Sequence, residues 1–429
     1  GAPAEGRAVR SDERKHIILD TLISNVTIVT MNERMDVLVG GHVGITDGKI
    51  VHVAKVPPKE QPAEIIDGTG MVLMPGLVNC HTHLATTLLR SYCDGVAECL
   101  RFGITSVSDL YYYPEATAEV IADSGMKANL SLSAYRFIDQ CEEFDFHTDE
   151  QSTELRRVVE KWHGYDNGRI KIDAGIYAEY TSNYPLWEGL ADFAAENGLG
   201  FQLHLAQSQE EADSCLDRTG LSQTELLSCH RVLDVPVTAA GCNALSEMDR
   251  KILGKHKATA VVLPIADAKQ GRSCAPITEC VQAGMNVALG SDGAVEAGNV
   301  DLFEVMRAAA MSVRASQGKA DALPAQAALM MATVCGARAQ GRAQECGMIK
   351  EGMDADLVLV DFSAPHLMPC HNVMNALVFS AKGGDVAMTM VRGKKLYVNG
   401  RFPTLDIAAA VQDITEYAMG KLFDEPHKN

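Results

Sequence analysis

The 429-residue chain carries 56 acidic against 38 basic residues, a formal net charge of −18, with 47% hydrophobic and 22% charged positions. These proportions are those of an ordinary globular protein and exclude the disordered and fibrous classes. The acidic balance, with no cluster of Lys and Arg, argues against nucleic acid and anionic membrane as partners.

No apolar run approaches the ~20 residues needed to cross a bilayer, and the opening GAPAEGRAVRSDERKH lacks the apolar stretch of a signal peptide. A cytoplasmic location is expected. The twelve cysteines are scattered without a C-x-x-C pair, and they read as free thiols of a reducing compartment.

In chain order, residues 1–16 read as a flexible tail. From 17 to 70, short β-rich runs such as TLISNVTIVTM and HVGITDGKIVHVA alternate with turn signals at Asp47-Gly48 and Asp67-Gly68, a pattern of antiparallel strands. Similar text returns in ADLVLVDF and VAMTMVRGKKLYVNGRF. Residues 17–70 and 355–402 are therefore expected to build one small β-sandwich domain from both ends of the chain.

Between them, residues 71–354 alternate strand-like and helix-like stretches. Strands are expected near 72–80, 104–109, 127–135, 169–176, 199–205, 237–242, 258–263 and 285–291. Eight β/α units predict an α/β fold of the (β/α)8 TIM-barrel type, with its chemistry at the carboxyl ends of the strands. Residues 403–429 carry apolar positions at helical spacing and predict a docking helix.

His81 and His83 close the first barrel strand as H-x-H, and strand alternation points both imidazoles to one side. His204 ends the fifth strand (GFQLHLA) and Asp292 the eighth (VALGSDGA), so barrel closure would bring all four to one mouth. Nitrogen and oxygen donors of this kind suit one divalent cation per chain, zinc first and iron or manganese as alternatives. Nine of the ten other histidines, among them His42, His163 and His366, lack this placement and read as surface or packing residues.

The segments PGLVNCHTHLATTLLR, GIYAEYTS, LHLAQSQEE, DVPVTAAGC, LPIADAKQGRSCAPI, VALGSDGA and GMIKEGMDADLVLVD resemble, in order, the motif series of the amidohydrolase superfamily. The branch of methylthioadenosine/S-adenosylhomocysteine deaminases and related chlorohydrolases is the most similar. The resemblance implies a single metal on His81, His83, His204 and Asp292, which lowers the pKa of a bound water toward ~7 for attack on an electrophilic ring carbon. Asp292 would take up the proton of that water. The substrate would be a small nitrogen-containing molecule, and such barrels often form homodimers.

Several positions depart from the series. The acid/base glutamate three residues after the fifth-strand histidine is Gln207, and a carboxamide cannot shuttle a proton at neutral pH. The sixth-strand histidine is Gly241. Tyr177 replaces a histidine of the fourth-strand motif, and Asp267 a seventh-strand asparagine. The chain between His83 and Val96 is far shorter than in the relatives, which disfavours a methylthioadenosine-like nucleoside.

Two readings follow: a metal-dependent hydrolase of carbon–nitrogen bonds with altered acid/base groups, or a catalytically impaired paralogue that keeps the metal site for binding or structure. Asp292 and Gln207 are the candidate catalytic residues, and Tyr177, Glu179, Gly241 and Asp267 the candidate substrate contacts. Substitute acid/base groups could come from Glu179, Glu210, Glu211, His230, Cys242 or Asp267. A metal-free reading with Cys80 or Cys242 as nucleophile has no neighbouring base to support it.

Overall fold

The computed structural model describes residues 19–84, 92–136, 144–413 and 416. The first strands are β1 (Leu19–Val29), β2 (Val37–Thr46), β3 (Lys49–Ala54), β4 (Pro62–Asp67) and β5 (Met71–Pro75). Eight more follow: β6 (Leu77–Thr82), β7 (Ile104–Tyr111), β8 (Lys127–Leu132), β9 (Ile170–Gly175), β10 (Phe201–Leu205), β11 (Val237–Gly241), β12 (Thr259–Val262) and β13 (Asn286–Leu289). The last are β14 (Leu357–Asp361), β15 (Val386–Val391) and β16 (Lys394–Val398).

Strands β6 to β13 lie side by side in sequence order, and the ladders that join them are parallel. Both faces are covered, since every residue of β8 and of β10 is buried, with Ala128, Leu130, Phe201 and Leu203 on one face and the polar Asn129, Ser131, Gln202 and His204 on the other. Asn79 closes the ring. Its Nδ2 donates to Ser291 Oγ at 2.7 Å and its Oδ1 accepts from Ser291 N at 3.0 Å. Asp292 N donates to His81 O at 3.1 Å across the same seam. The eight β/α units thus form the expected (β/α)8 barrel.

The ends of the chain supply a second sheet in the order β16-β15-β14-β5-β1-β2-β3, with β4 parallel to β1. Its strands are hydrogen-bonded into one continuous sheet. Ile23, Val43, Ile50, Leu73, Leu357 and Met388 share one apolar core, so strands far apart along the sheet fold back on one another.

The expected strand over 72–80 is two strands, since β5 joins the end sheet and β6 opens the barrel. Gly76 sits between them, where a Cβ would lie 2.1 Å from Thr105 Oγ1, and its amide donates to Asp356 O at 2.9 Å. Hydropathy cannot register this handover, because both halves are equally buried. The expected tail and the loop after His83 lie outside the described residues, apart from the segment resuming at 92. Of the C-terminal helix the described part is Ile407–Asp413.

A buried ionic cluster joins the amino end of the barrel to the end sheet. Lys127, at the start of β8, is fully buried, and its Nζ lies 2.6 Å from both Asp354 Oδ2 and Asp356 Oδ2. Asp354 also receives Lys49 Nζ at 2.5 Å and Arg392 Nε at 3.3 Å.

Burial would raise the Asp354 pKa, but Lys127 and Lys49 together pull it down to about 2. A carboxylate held below its ordinary value stabilises the fold above that value and loses this contribution as pH falls toward 2. The expected cost is roughly 2 kcal/mol. Chemical denaturation of the protein at pH 5 and at pH 2.5 should show this loss, and Asp354→Asn should show a smaller difference between the two.

Candidate metal centre

Each candidate ligand stands at or just beyond a strand end. His81 lies in β6 and His83 just after it, His204 is the penultimate residue of β10, and Asp292 lies three residues past β13. All four are buried, with 2% to 6% of their surface exposed. One ligand atom from each falls within 4.8 Å of the others.

The histidine orientations are fixed from behind. His83 Nδ1 donates to Leu110 O at 2.7 Å and His204 Nδ1 to Tyr177 O at 2.8 Å. With Nδ1 bonded to these carbonyls, each Nε2 is turned toward the centre, where it could give a lone pair to a cation. His81 Nε2 stands 3.0 Å from His204 Nε2, and His83 Nε2 stands 3.1 Å from Asp292 Oδ1.

Burial lowers the His81 pKa well below its ordinary value and the His204 pKa to about 4, with the other imidazoles adding to both effects. Burial opposes ionisation of Asp292, yet the hydrogen bond from His83 and the positive potential of the imidazoles pull its pKa down. Asp292 Oδ1 is buried and faces His83 Nε2 at 3.1 Å and His81 Nε2 at 3.6 Å. At His83 the neighbouring Asp292 outweighs burial and raises the pKa, so a cation would take the place of the proton between them: three convergent imidazole nitrogens and an ionised carboxylate oxygen are the donor set a divalent ion requires. The residues fit such an ion.

Left-handed backbone marks this mouth: Ala206 has φ 47°, Gly241 φ 98°, Cys242 φ 62° and Asp292 φ 62°. Non-glycine residues held there store strain of order 1–3 kcal/mol each, a feature concentrated at functional sites. At Gly241 a Cβ would lie 2.7 Å from Gln207 Cγ, so a side chain at this position would require Gln207 to move.

The other sequence candidates separate into groups. Gln207, Glu210 and Glu211 share a cleft of about 350 Å³ with Tyr180, Arg218 and Arg272. Glu211 accepts from Gln207 N at 3.1 Å and from Gln223 Nε2 at 2.7 Å, and burial raises its pKa. Glu179 is buried and bound by Arg218 Nη2 at 2.6 Å. Asp267 is buried, accepts from Arg272 Nε at 3.1 Å, and is pushed up to about 6 by burial.

His230 is stacked on Tyr184 at 4.2 Å and bonded to Glu188 at 2.9 Å, contacts that account for it structurally. Cys80 and Cys242 are fully buried and burial pushes both thiols up, so neither is the thiolate a nucleophile requires. Tyr177 packs its ring 4.6 Å from that of His204.

Sequence reasoning missed Tyr111, whose ring lies 5.8 Å from His83. Its position at the carboxyl end of β7, in the run Tyr111-Tyr112-Tyr113, was the available signal. It also missed Asp109, a buried carboxyl that accepts from Leu84 N at 2.6 Å and that burial pushes up to about 6.

Barrel and donor set together define a class, the metal-dependent hydrolases that act on carbon–nitrogen bonds. The amidohydrolase family pattern matches residues 72–396, and the chain belongs to that family. It is 34% identical to a 5'-deoxyadenosine deaminase of Methanosarcina acetivorans, with 92% of this chain and 96% of that one aligned. It is also 34% identical to a 5-methylthioadenosine/S-adenosylhomocysteine deaminase of Pelotomaculum thermopropionicum, covering 90% and 95% of the two chains. Among solved structures, an adenosine deaminase from Xanthomonas campestris with bound zinc superposes with a TM-score of 0.85 at 26% identity, over 93% of this chain and 97% of that one. Among the described residues, no helix is long and apolar enough to cross a membrane.

Proposed function

We propose that the protein removes an amino or similar group from a small nitrogen heterocycle by hydrolysis, using one zinc ion held by His81, His83, His204 and Asp292. The observation that carries this reading is the convergence of four buried ligand atoms within 4.8 Å at the carboxyl end of the barrel. The relatives named above act on adenine nucleosides according to their names, which favours an amino-substituted ring. The short connection after His83 leaves fewer residues to hold a sugar, which favours a free base over a nucleoside.

When bound, the ion would lower the pKa of a coordinated water and so supply a nucleophile at neutral pH. Leu110 O and Tyr177 O hold the His83 and His204 rings with Nε2 toward the centre. Asp292, kept ionised, accepts the proton released as the water oxygen bonds to the ring carbon. As the carbon–nitrogen bond breaks, the same proton passes to the departing nitrogen, giving ammonia and a hydroxylated ring. Gln207 can orient a ring nitrogen or the leaving group by hydrogen bonding, and the proton stays with Asp292 because a carboxamide does not carry it. Tyr177 would form an aromatic wall against the substrate, with Gly241 leaving room beside Gln207. Asp267 would act through Arg272, and Glu179 through Arg218.

Metal analysis of the purified protein, followed by ammonia release from aminopurines, aminopterins and other amino-heterocycles, tests the reading. About one zinc per chain and release that stops on chelation and returns with zinc are expected. A metal-loaded protein that releases ammonia from none of them would count against hydrolysis.

A further inference from the structure

A cavity of about 680 Å³ is lined by Tyr112, Tyr113, Tyr135 and Tyr177 together with Glu150 and Glu154. It is connected to the metal centre by aromatic contacts on two sides. On one, the Tyr177 ring lies 4.6 Å from His204. On the other, rings run outward from His83 to Tyr111 at 5.8 Å, to Tyr112 at 5.0 Å and to Tyr135 at 6.1 Å.

Three of these tyrosines are unusually open: Tyr112, Tyr113 and Tyr135 are 40%, 55% and 42% exposed. Aromatic side chains grouped this way on a concave surface mark a binding site more often than a packing defect. The charged groups among the lining residues are both carboxylates. Glu150 and Glu154 belong to the helix Glu150–Trp162, where a separation of four places them on one face. Two nearby guanidinium groups are paired with other carboxylates, Arg157 Nη1 at 2.7 Å from Glu115 Oε2 and Arg136 with Asp149. Tyrosine faces are electron-rich and attract cations, and two carboxylates at the rim strengthen the same preference.

We infer that this cleft is a specificity subsite for a cationic, amine-bearing part of the substrate, whose flat portion packs on the tyrosines while its ammonium faces Glu150 and Glu154. The inference rests on the hydrolase reading for its link to turnover, but binding in the cleft can be measured without any reaction.

Benzylammonium and benzyl alcohol form a suitable pair of probes: they share a ring and a near-identical shape, and differ in charge. Titration calorimetry on the metal-loaded protein is expected to show benzylammonium binding about tenfold more tightly, the scale of a desolvated cation–aromatic contact. In the double variant Glu150→Gln, Glu154→Gln the two affinities should become equal, while Tyr112→Leu should weaken benzylammonium and leave the zinc content unchanged. Equal affinities in the unaltered protein, or a preference that survives the double variant, would overturn the subsite.

A parallel measurement compares turnover of amino-heterocycles with and without an alkylammonium tail. KM about tenfold lower for the cationic member, lost in the double variant with kcat retained, supports the subsite. Turnover with no such preference overturns the subsite and leaves the hydrolase reading standing. Preferential benzylammonium binding without turnover of any heterocycle supports the subsite and counts against the hydrolase reading.

Discussion

Asp292→Asn is expected to lower ammonia release by ~10³-fold or more, since proton transfer by a positioned group contributes 10²–10⁴ in rate and this residue is also a ligand. Asparagine is the informative replacement. It tolerates the left-handed backbone at φ 62°, so the turn after β13 and the bond from the residue's amide to His81 O should persist. What disappears is the negative charge at Oδ1, the buried atom that faces His83 and His81 at 3.1 Å and 3.6 Å.

Zinc content and melting temperature measured on the same preparation separate the causes. Lower zinc occupancy with an unchanged melting profile of the metal-free form identifies a ligand. Retained zinc with lost turnover assigns the residue to proton transfer. Wild-type turnover and zinc content in the variant would remove Asp292 from both roles.

Lys127→Met is expected to destabilise the protein by about 3–5 kcal/mol, the cost of leaving a buried carboxylate without its counter-charge. The side chain is fully buried, and its ammonium is shared by two aspartates at 2.6 Å. Burial disfavours the charged amine, yet Asp356 and Asp354 outweigh it and raise the Lys127 pKa. The ammonium's contribution is therefore complete below the ordinary lysine value and is lost only as pH climbs through the raised one.

Urea denaturation of the variant measures the loss. Adding Asp354→Asn and Asp356→Asn to Lys127→Met should recover much of it, because the residual penalty belongs to the stranded carboxylates. A single variant as stable as the parent would show that the cluster is solvated rather than buried. The metal centre lies at the opposite end of the strands, so zinc content should be unaffected at temperatures where the variant remains folded.

Much of this architecture was legible in the one-dimensional pattern. Strand periodicity and turn residues announced eight β/α units and β-rich ends, because burial on one or both faces of a strand writes itself directly into hydropathy. The four candidate ligands were legible for a related reason: each sits within three residues of a strand end, and barrel closure brings strand ends together. The handover at Gly76 was not legible, since β5 and β6 are both apolar and only the partner strands distinguish them.

Other features depended on contacts between distant segments. Glu179, Asp267 and His230 could each be a free acid or base in the sequence. Arg218, Arg272 and the Tyr184–Glu188 pair engage them in the fold. The tyrosine cleft joins the segments after β7, β8 and β9 to the helix Glu150–Trp162, elements with no common periodicity. The buried position of Lys127 contradicts what its charge suggests and becomes intelligible only beside Asp354 and Asp356.

The sequence by itself determined the barrel, the paired chain ends and the four candidate ligands for a metal, because these follow from local alternation and from donor chemistry. Tertiary structure alone decided which polar groups remain free to act, since freedom depends on what lies across the mouth. The same spatial proximity decided that the centre opens beside an aromatic, acidic cleft.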